Sequence, residues 1–327
     1  MSAIEVRQLT KQFGKLTAVN NISFSVKKGE IFGFLGPNGA GKTTTINILT
    51  TLLKPTSGQA EVNGYDVIKQ KEKVRASIGL IFQEPSLDDN LTAYENLKFH
   101  SWLYGVDKKT QSQRIPAMLQ MVGLTDRQKN VVGTFSGGMK RRLEIARGLV
   151  HHPKVLFLDE PTIGLDPQTR NHIWQYVLKL REREQITMFM TTHYMDEAEY
   201  CDRVAIIDEG KIIALDSVDN LKKTIGGDVI IIKTKDNQRA QQEIKNKWQL
   251  EAQQKDDSLM INKQDGGQFI PALFQELSVE IVNVFIRKPT LNDVYLKLTG
   301  KEIREERASA KDKFKHNLKM RGRLRGH

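Results

Sequence analysis

The chain has 327 residues, 39% hydrophobic and 27% charged, which is material for about two packed domains and excludes wholesale disorder. No apolar run approaches the roughly 18 residues of a membrane span. The start, Met1-Ser2-Ala3-Ile4-Glu5, lacks the basic-then-apolar pattern of a secretory signal, and the single Cys201 excludes an internal disulfide or a multi-cysteine metal site, so a soluble protein of a reducing cytosol is expected. Of the net charge of +11, more than half lies in residues 301–327, where ten Lys or Arg face four Asp or Glu; the mildly basic remainder argues only weakly for nucleic acid.

In chain order, Ile4–Leu9 reads as a strand, and Ile22, Phe24 and Val26 alternate with polar residues in a second. Ile31–Leu35 is apolar nearly throughout, as a strand buried on both faces would be. It runs into Gly36-Pro37-Asn38-Gly39-Ala40-Gly41-Lys42-Thr43-Thr44, and Thr45–Leu53 fits a helix. Leu80-Ile81-Phe82 reads as a strand ending at Gln83. Residues 92–122 are mostly helical in pattern, as is 139–150. Val155–Leu158 is a second fully apolar strand ending in Asp159-Glu160. Asp166-Pro167 starts a helix, with Asp at the cap and Pro in the first turn. The strand Ile186–Met190 leads to Thr191-Thr192-His193, and a hairpin pairs 204–207 with 212–215. Gly226-Gly227 marks a boundary. Beyond it strands at 229–234, 258–262 and 279–286 alternate with helices at 238–248, 268–277 and 290–298, giving a small α/β domain without a catalytic motif.

Gly36-x-x-x-x-Gly41-Lys42-Thr43 is a complete phosphate-binding loop. Its glycines allow successive N–H groups to face one concavity, and the following helix adds its positive end. Lys42 supplies a point charge for β- and γ-phosphates, and Thr43 a hydroxyl ligand for Mg²⁺. A parallel strand delivers the Asp159 carboxylate at its C-terminal end for the metal, with Glu160 next to it to polarise water. Ser136-Gly137-Gly138 before a helix is a second anion site; alone it would read as a cap or turn. His193 at a strand end, Gln83 and the lone aromatic Phe13 are each ambiguous by themselves.

Together these motifs resemble the ATP-binding subunit of an ABC transporter, over roughly residues 4–222. The order agrees: Phe13 as the base-stacking aromatic, Walker A at 36–43 followed by Thr44, Gln83, the signature Ser136-Gly137-Gly138, Walker B at 155–160, Gly164-Leu165-Asp166 as the D-loop, and His193 as the switch histidine. Phe13 stands where tyrosine is commoner and Met139 where glutamine is usual. The signature continuation Met139-Lys140-Arg141-Arg142-Leu143, with the segment Pro289–Gly300, is similar to the daunorubicin/doxorubicin-resistance group of drug-exporter ATPases.

The resemblance implies a P-loop NTPase fold of the ABC type: a RecA-like core, an antiparallel β subdomain and a helical subdomain over 1–225. A C-terminal α/β accessory domain at 226–300 and a basic tail at 301–327 would follow. It implies ATP and Mg²⁺ as cofactors, Lys42, Glu160 and His193 as catalytic groups, and Thr43, Gln83 and Asp159 around the metal. The phosphate loop, Phe13, Gln83, Ser136, Gly137, Gly138 and Asp166 would bind nucleotide. It also implies an ATP-dependent homodimer on the cytoplasmic face of the membrane. The dimer would energise a separate permease docked near 84–104 and export a drug or other hydrophobic compound.

Two other readings compete: a soluble ABC ATPase acting on nucleic acid or ribosomes, and an importer subunit whose C-terminal domain senses a ligand. A single Walker A, separated from Ser136 by only 94 positions from Lys42, argues against the first. No nucleic-acid partner is expected. The tail reads as a solvated segment, with attraction to anionic lipid as the alternative.

Overall fold

The computed structural model describes residues 2–82 and 86–300. The Gln83 assignment, like the tail 301–327, lies outside the described residues.

Two sheets build the first part of the chain. The strands β1 (Ser2–Phe13), β2 (Leu16–Lys27), β4 (Ser57–Val62) and β5 (Tyr65–Asp66) form an antiparallel sheet in the order β2-β1-β4-β5. The second sheet contains β3 (Ile31–Leu35), β6 (Ile78–Ile81), β7 (Val155–Asp159), β8 (Thr187–Thr192), β9 (Arg203–Asp208) and β10 (Lys211–Ser217), in the order β10-β9-β3-β8-β7-β6. All of its neighbours are parallel except the β9–β10 hairpin.

Its apolar strands divide their side chains by a period of two. Phe32 and Phe34 of β3, Phe157 of β7, Phe189 of β8 and Ile207 of β9 enter a core against the antiparallel sheet, where Phe24 stacks on Phe32 with ring centroids 5.4 Å apart. Ile31, Leu35, Leu156, Leu158, Met188 and Ile206 enter the opposite core. Helices α3 (Ala93–Leu103), α4 (Lys108–Met121), α5 (Gly137–Leu149) and α6 (Pro167–Glu184) contribute to that second core. The short α1 (Lys42–Leu49) and α2 (Lys71–Ser77) lie on the other side.

Several boundaries depart from the sequence reading. The first helix begins at Lys42 and ends at Leu49 rather than running from 45 to 53, because Thr50 and Thr51 turn back onto Ile46 and Ile48 carbonyls. The first strand runs on to Phe13, carried by register shifts in its pairing with β2.

After β10, α7 (Met195–Ala198, between β8 and β9) and α8 (Val218–Lys223) pack near the start of a third sheet. This sheet, β12 (Ala252–Lys255), β13 (Ser258–Lys263), β11 (Asp228–Thr234) and β14 (Ile281–Arg287), is antiparallel throughout. Ile230, Ile232, Leu259 and Ile261 face α9 (Asn237–Trp248) and α10 (Gly266–Glu276) in a separate core. The alternate residues Val229 and Met260 point the other way and join the main core. The last helix, α11 (Leu291–Thr299), packs on α7 and α8, and its Leu291, Val294 and Tyr295 are buried in that same main core. Two units thus share one apolar interior. Among the described residues no helix is long and apolar enough to cross a membrane.

Candidate nucleotide site

Parallel strands align their C-terminal ends, and register places the motifs side by side: Leu35 pairs with Thr192, Thr191 with Asp159, and Ile81 with Leu158. The phosphate loop after β3, the acidic pair after β7 and His193 after β8 therefore meet at one sheet edge, as open parallel sheets place their ligand sites.

The loop is shaped by close backbone approaches. A Cβ on Gly36 would lie 2.2 Å from the Ile207 carbonyl oxygen, and one on Gly41 2.3 Å from that of Ala18. Gly41 also has φ +102° at the cap of α1. A cleft of about 450 Å³ opens over the loop, lined by Asn38, Gly39, Gly41, Lys42, Thr43, Thr44 and Glu160, with Phe13 at its edge. Phe13 is 47% exposed, with the Lys11 ammonium 5.0 Å from its ring centroid. Gly36 and Ala40 are buried behind the loop and shape it rather than line the cleft.

The Lys42 ammonium donates to the carbonyls of Gly36 at 2.9 Å and Pro37 at 3.0 Å and lies 3.2 Å from Glu160 Oε1. Burial lowers its pKa, with Glu160 and Asp159 opposing. Asp159 accepts from Thr191 Oγ1 at 2.5 Å and faces Thr43 Oγ1 at 3.4 Å; burial raises its pKa despite these contacts. Burial acts on Glu160 in the same sense, but His193 and Lys42 outweigh it and hold the carboxyl below its ordinary range. Lys42 lies against Glu160 Oε1, and His193 Nδ1, which meets no hydrogen-bond geometry among the described residues, lies 3.2 Å from Oε2. Glu160 has φ +45°, a conformation held by its N–H donating to Thr191 O and Oγ1, both at 3.1 Å.

The signature is elsewhere on the surface. Ser136 caps α5, its hydroxyl accepting from Met139 N at 3.3 Å, and Ser136 and Gly137 are exposed. A cavity of about 350 Å³ there is lined by Ser136, Gly138, Met139, Arg142, Thr169, His172, Ile173 and Tyr176 and shares no residue with the phosphate-loop cleft. Asp166 caps α6 next to it, accepting from Thr169 N at 2.9 Å. Thr169 in turn approaches Gly138, so the N-termini of α5 and α6 stand together.

Five residues with a part in this architecture escape a reading by motif. Thr191 holds both Asp159 and the Glu160 backbone. Arg141 reaches from α5 to the Phe82 carbonyl at 2.6 Å, to Glu144 at 2.8 Å and to the Glu160 and Pro161 carbonyls. Thr162 and Thr192, both fully buried, hydrogen-bond the buried Glu197. The available signal is a strand ending in two threonines where apolar residues are the norm, with a glutamate one helical turn after the histidine.

Comparison with known proteins gives the family of the chain. The ABC transporter family matches residues 19–163, and the ATP-binding protein DrrA1-3-like C-terminal domain matches residues 217–299. The chain is similar to the linearmycin resistance ATP-binding protein of Bacillus subtilis, 39% identical over 92% of this chain and 100% of that one. It is likewise similar to a daunorubicin resistance ATP-binding protein of Streptomyces coeruleorubidus, 34% identical over 94% and 99%. Among solved structures, a dimeric ATP-binding cassette in a post-hydrolysis state with ADP and Pi aligns with TM-score 0.59 and 28% identity, covering 65% of this chain and 98% of that one. The chain belongs to the family of ABC transporter ATP-binding proteins, in the group that carries the DrrA-like C-terminal domain. It is a nucleotide-binding ATPase coupled to transport.

Proposed function

We propose that this subunit binds ATP between two copies of itself and uses closure and reopening of that pair to drive a separate membrane permease. The observation that carries the reading is the separation just described. The Walker residues and the signature each line a surface cavity, and the two cavities share no residue in one chain. A second copy facing head to tail would bring its Ser136, Gly137, Gly138 and Asp166 over the cleft that holds Lys42 and Glu160. The dimeric cassette aligned above supports the arrangement.

Within each cleft, Lys42 neutralises phosphate charge, Phe13 stacks on the base, and Glu160 orients water and takes up its proton, with His193 fixing the Glu160 carboxylate. Thr43 and Asp159 present a hydroxyl and a carboxylate side by side, the hard oxygen donors that Mg²⁺ takes together with phosphate oxygens and water. An ion held by Thr43 and Asp159 would supply positive charge to offset the charge developing on the phosphates.

The permease has a docking place available. A groove of about 550 Å³ runs between α2, β6 and the end of α3, lined by Leu52, Arg75, Leu80, Phe82, Leu103 and Arg147. It takes in His100, Leu103 and Tyr104 of the expected docking segment and shares no residue with the nucleotide cleft. A permease places the subunit at the cytoplasmic membrane face. The names of the resistance proteins to which the chain is similar support export of a drug or other hydrophobic compound. The experiment is size-exclusion chromatography of Glu160→Gln with ATP and Mg²⁺. A dimer that reverts to monomer on nucleotide removal is expected. Monomer only, in a protein that still binds ATP, would exclude the two-copy site. Stimulation of the ATPase by RNA or DNA, with none by a co-purified permease, would exclude the transport reading.

A further inference from the structure

We propose that Glu197 is a positioning residue for hydrolysis: by accepting from Thr162 and Thr192 together, it fixes the Glu160 segment and the His193 segment relative to one another. The inference rests on the reading of Glu160 and His193 as the hydrolytic pair.

The geometry is specific. Thr162 lies two residues after Glu160, in the turn where Ile163 N donates to the Glu160 carbonyl at 3.3 Å. Thr192 is the residue before His193. Glu197, on α7 just beyond, is 1% exposed and turns back beneath both. One carboxyl oxygen accepts from Thr162 Oγ1 and the other from Thr192 Oγ1 at 2.6 Å. The same Thr192 hydroxyl accepts from Tyr194 N at 2.9 Å, which fixes the turn that aims His193. Glu197 thus forms a side-chain crosslink between the two segments whose tips meet at the 3.2 Å contact of His193 Nδ1 with Glu160 Oε2.

A carboxyl is a costly way to tie two hydroxyls together. The cations near it are poorly placed: Arg170 Nε is 3.8 Å away, while that guanidinium lies 4.1 Å from the Tyr194 ring centroid and 3.3 Å from Asp196. Among the described residues Arg170 Nε has no hydrogen-bond partner. Burial therefore pushes Glu197 up to about 7, against the pull of Thr192 and Arg170. Desolvating a carboxyl there is costly, but an apolar side chain would leave the two buried hydroxyls without their acceptor. A glutamate supplies two acceptor oxygens in one plane to two hydroxyl donors on different segments.

The test is single-turnover and steady-state ATP hydrolysis by the full-length protein carrying Glu197→Gln, Thr192→Val or Thr192→Ser, each with and without His193→Ala. Glutamine offers one acceptor oxygen and so breaks one arm of the crosslink. The expected result is a roughly tenfold fall in kcat for Glu197→Gln and Thr192→Val, KM for ATP within about twofold, and near-normal turnover for Thr192→Ser, which keeps the hydroxyl. In the His193→Ala background, Glu197→Gln should cause no further loss, because its effect passes through that histidine. Normal kcat in Glu197→Gln, or losses that multiply with His193→Ala, would overturn the assignment. The valine–serine pair reads the same crosslink should the glutamine variant fail to fold. Undiminished hydrolysis by His193→Ala alone would instead overturn the pairing on which the inference rests, and the inference with it.

Discussion

The carbonyl of Ile207 leaves room for hydrogen and nothing larger at Gly36, so Gly36→Ala should displace β9 or the loop, and ATP binding should be lost by equilibrium dialysis. Lys42→Ala should abolish hydrolysis and weaken binding, since the phosphates lose their facing charge; near-normal turnover at saturating ATP would contradict the assignment. Arg141→Ala leaves Glu144, which is fully buried, without its closest cation and frees two backbone segments. A loss of about 3–5 kcal/mol is expected, visible as a fall in denaturation midpoint. Glu197 makes a prediction with a sign. Its folded pKa near 7 lies above the ordinary carboxylate range, so its contribution to stability is fully present in acid and is lost as pH rises through about 7. Arg170 on α6, Arg141 on α5, His193 after β8 and Asp196 on its own helix are the charged groups acting with it. The Tm of Glu197→Gln relative to wild type should therefore be more favourable at pH 8 than at pH 5. The phosphate loop was legible in the sequence because its residues act through their own chemistry within eight positions. Arg141, Thr162 and Glu197 were not, because each draws its meaning in part from a partner 19 to 59 positions away.

Among the elements, fully apolar strands were the plainest to read, since burial on both faces leaves β3, β7 and β8 no polar positions apart from their threonine and aspartate ends. Strands β4, β5 and β12 were not. β4 is mostly exposed, β5 has two residues and β12 buries one of four, so each exists through pairing with a neighbour rather than through its own pattern. Asp166 was legible as a helix cap; Asp166→Ala should cost about 1 kcal/mol through the lost cap. The groove at the end of α3 carries its own prediction. Leu103 is 58% exposed there, and Leu103→Asp should leave basal ATPase of the purified subunit within about twofold while reducing its stimulation by reconstituted permease. Equal loss of both activities would show that the groove serves folding instead.

At the scale of the molecule, the sequence marks a break at Gly226-Gly227, and both glycines do adopt positive φ. The apolar interior ignores that break. Val229, Met260, Leu291, Val294 and Tyr295 come from beyond it, yet they are buried with Leu156, Trp174 and Ile206 from before it. A pattern of alternating residues shows that a strand has two faces, but the identity of what covers each face is a long-range fact that local spacing does not encode. Cutting the chain at 226 should accordingly leave a cassette with an uncovered apolar surface, seen as aggregation or a lowered Tm. Calorimetry of the intact protein should show one transition rather than two. The same shared interior makes the chain a natural split protein. Two fragments, 1–226 and 227–327, expressed from separate messages, should find one another through the faces of α7, α8 and α11 and restore ATPase activity, as two halves of a broken key do only when pressed together along the fracture.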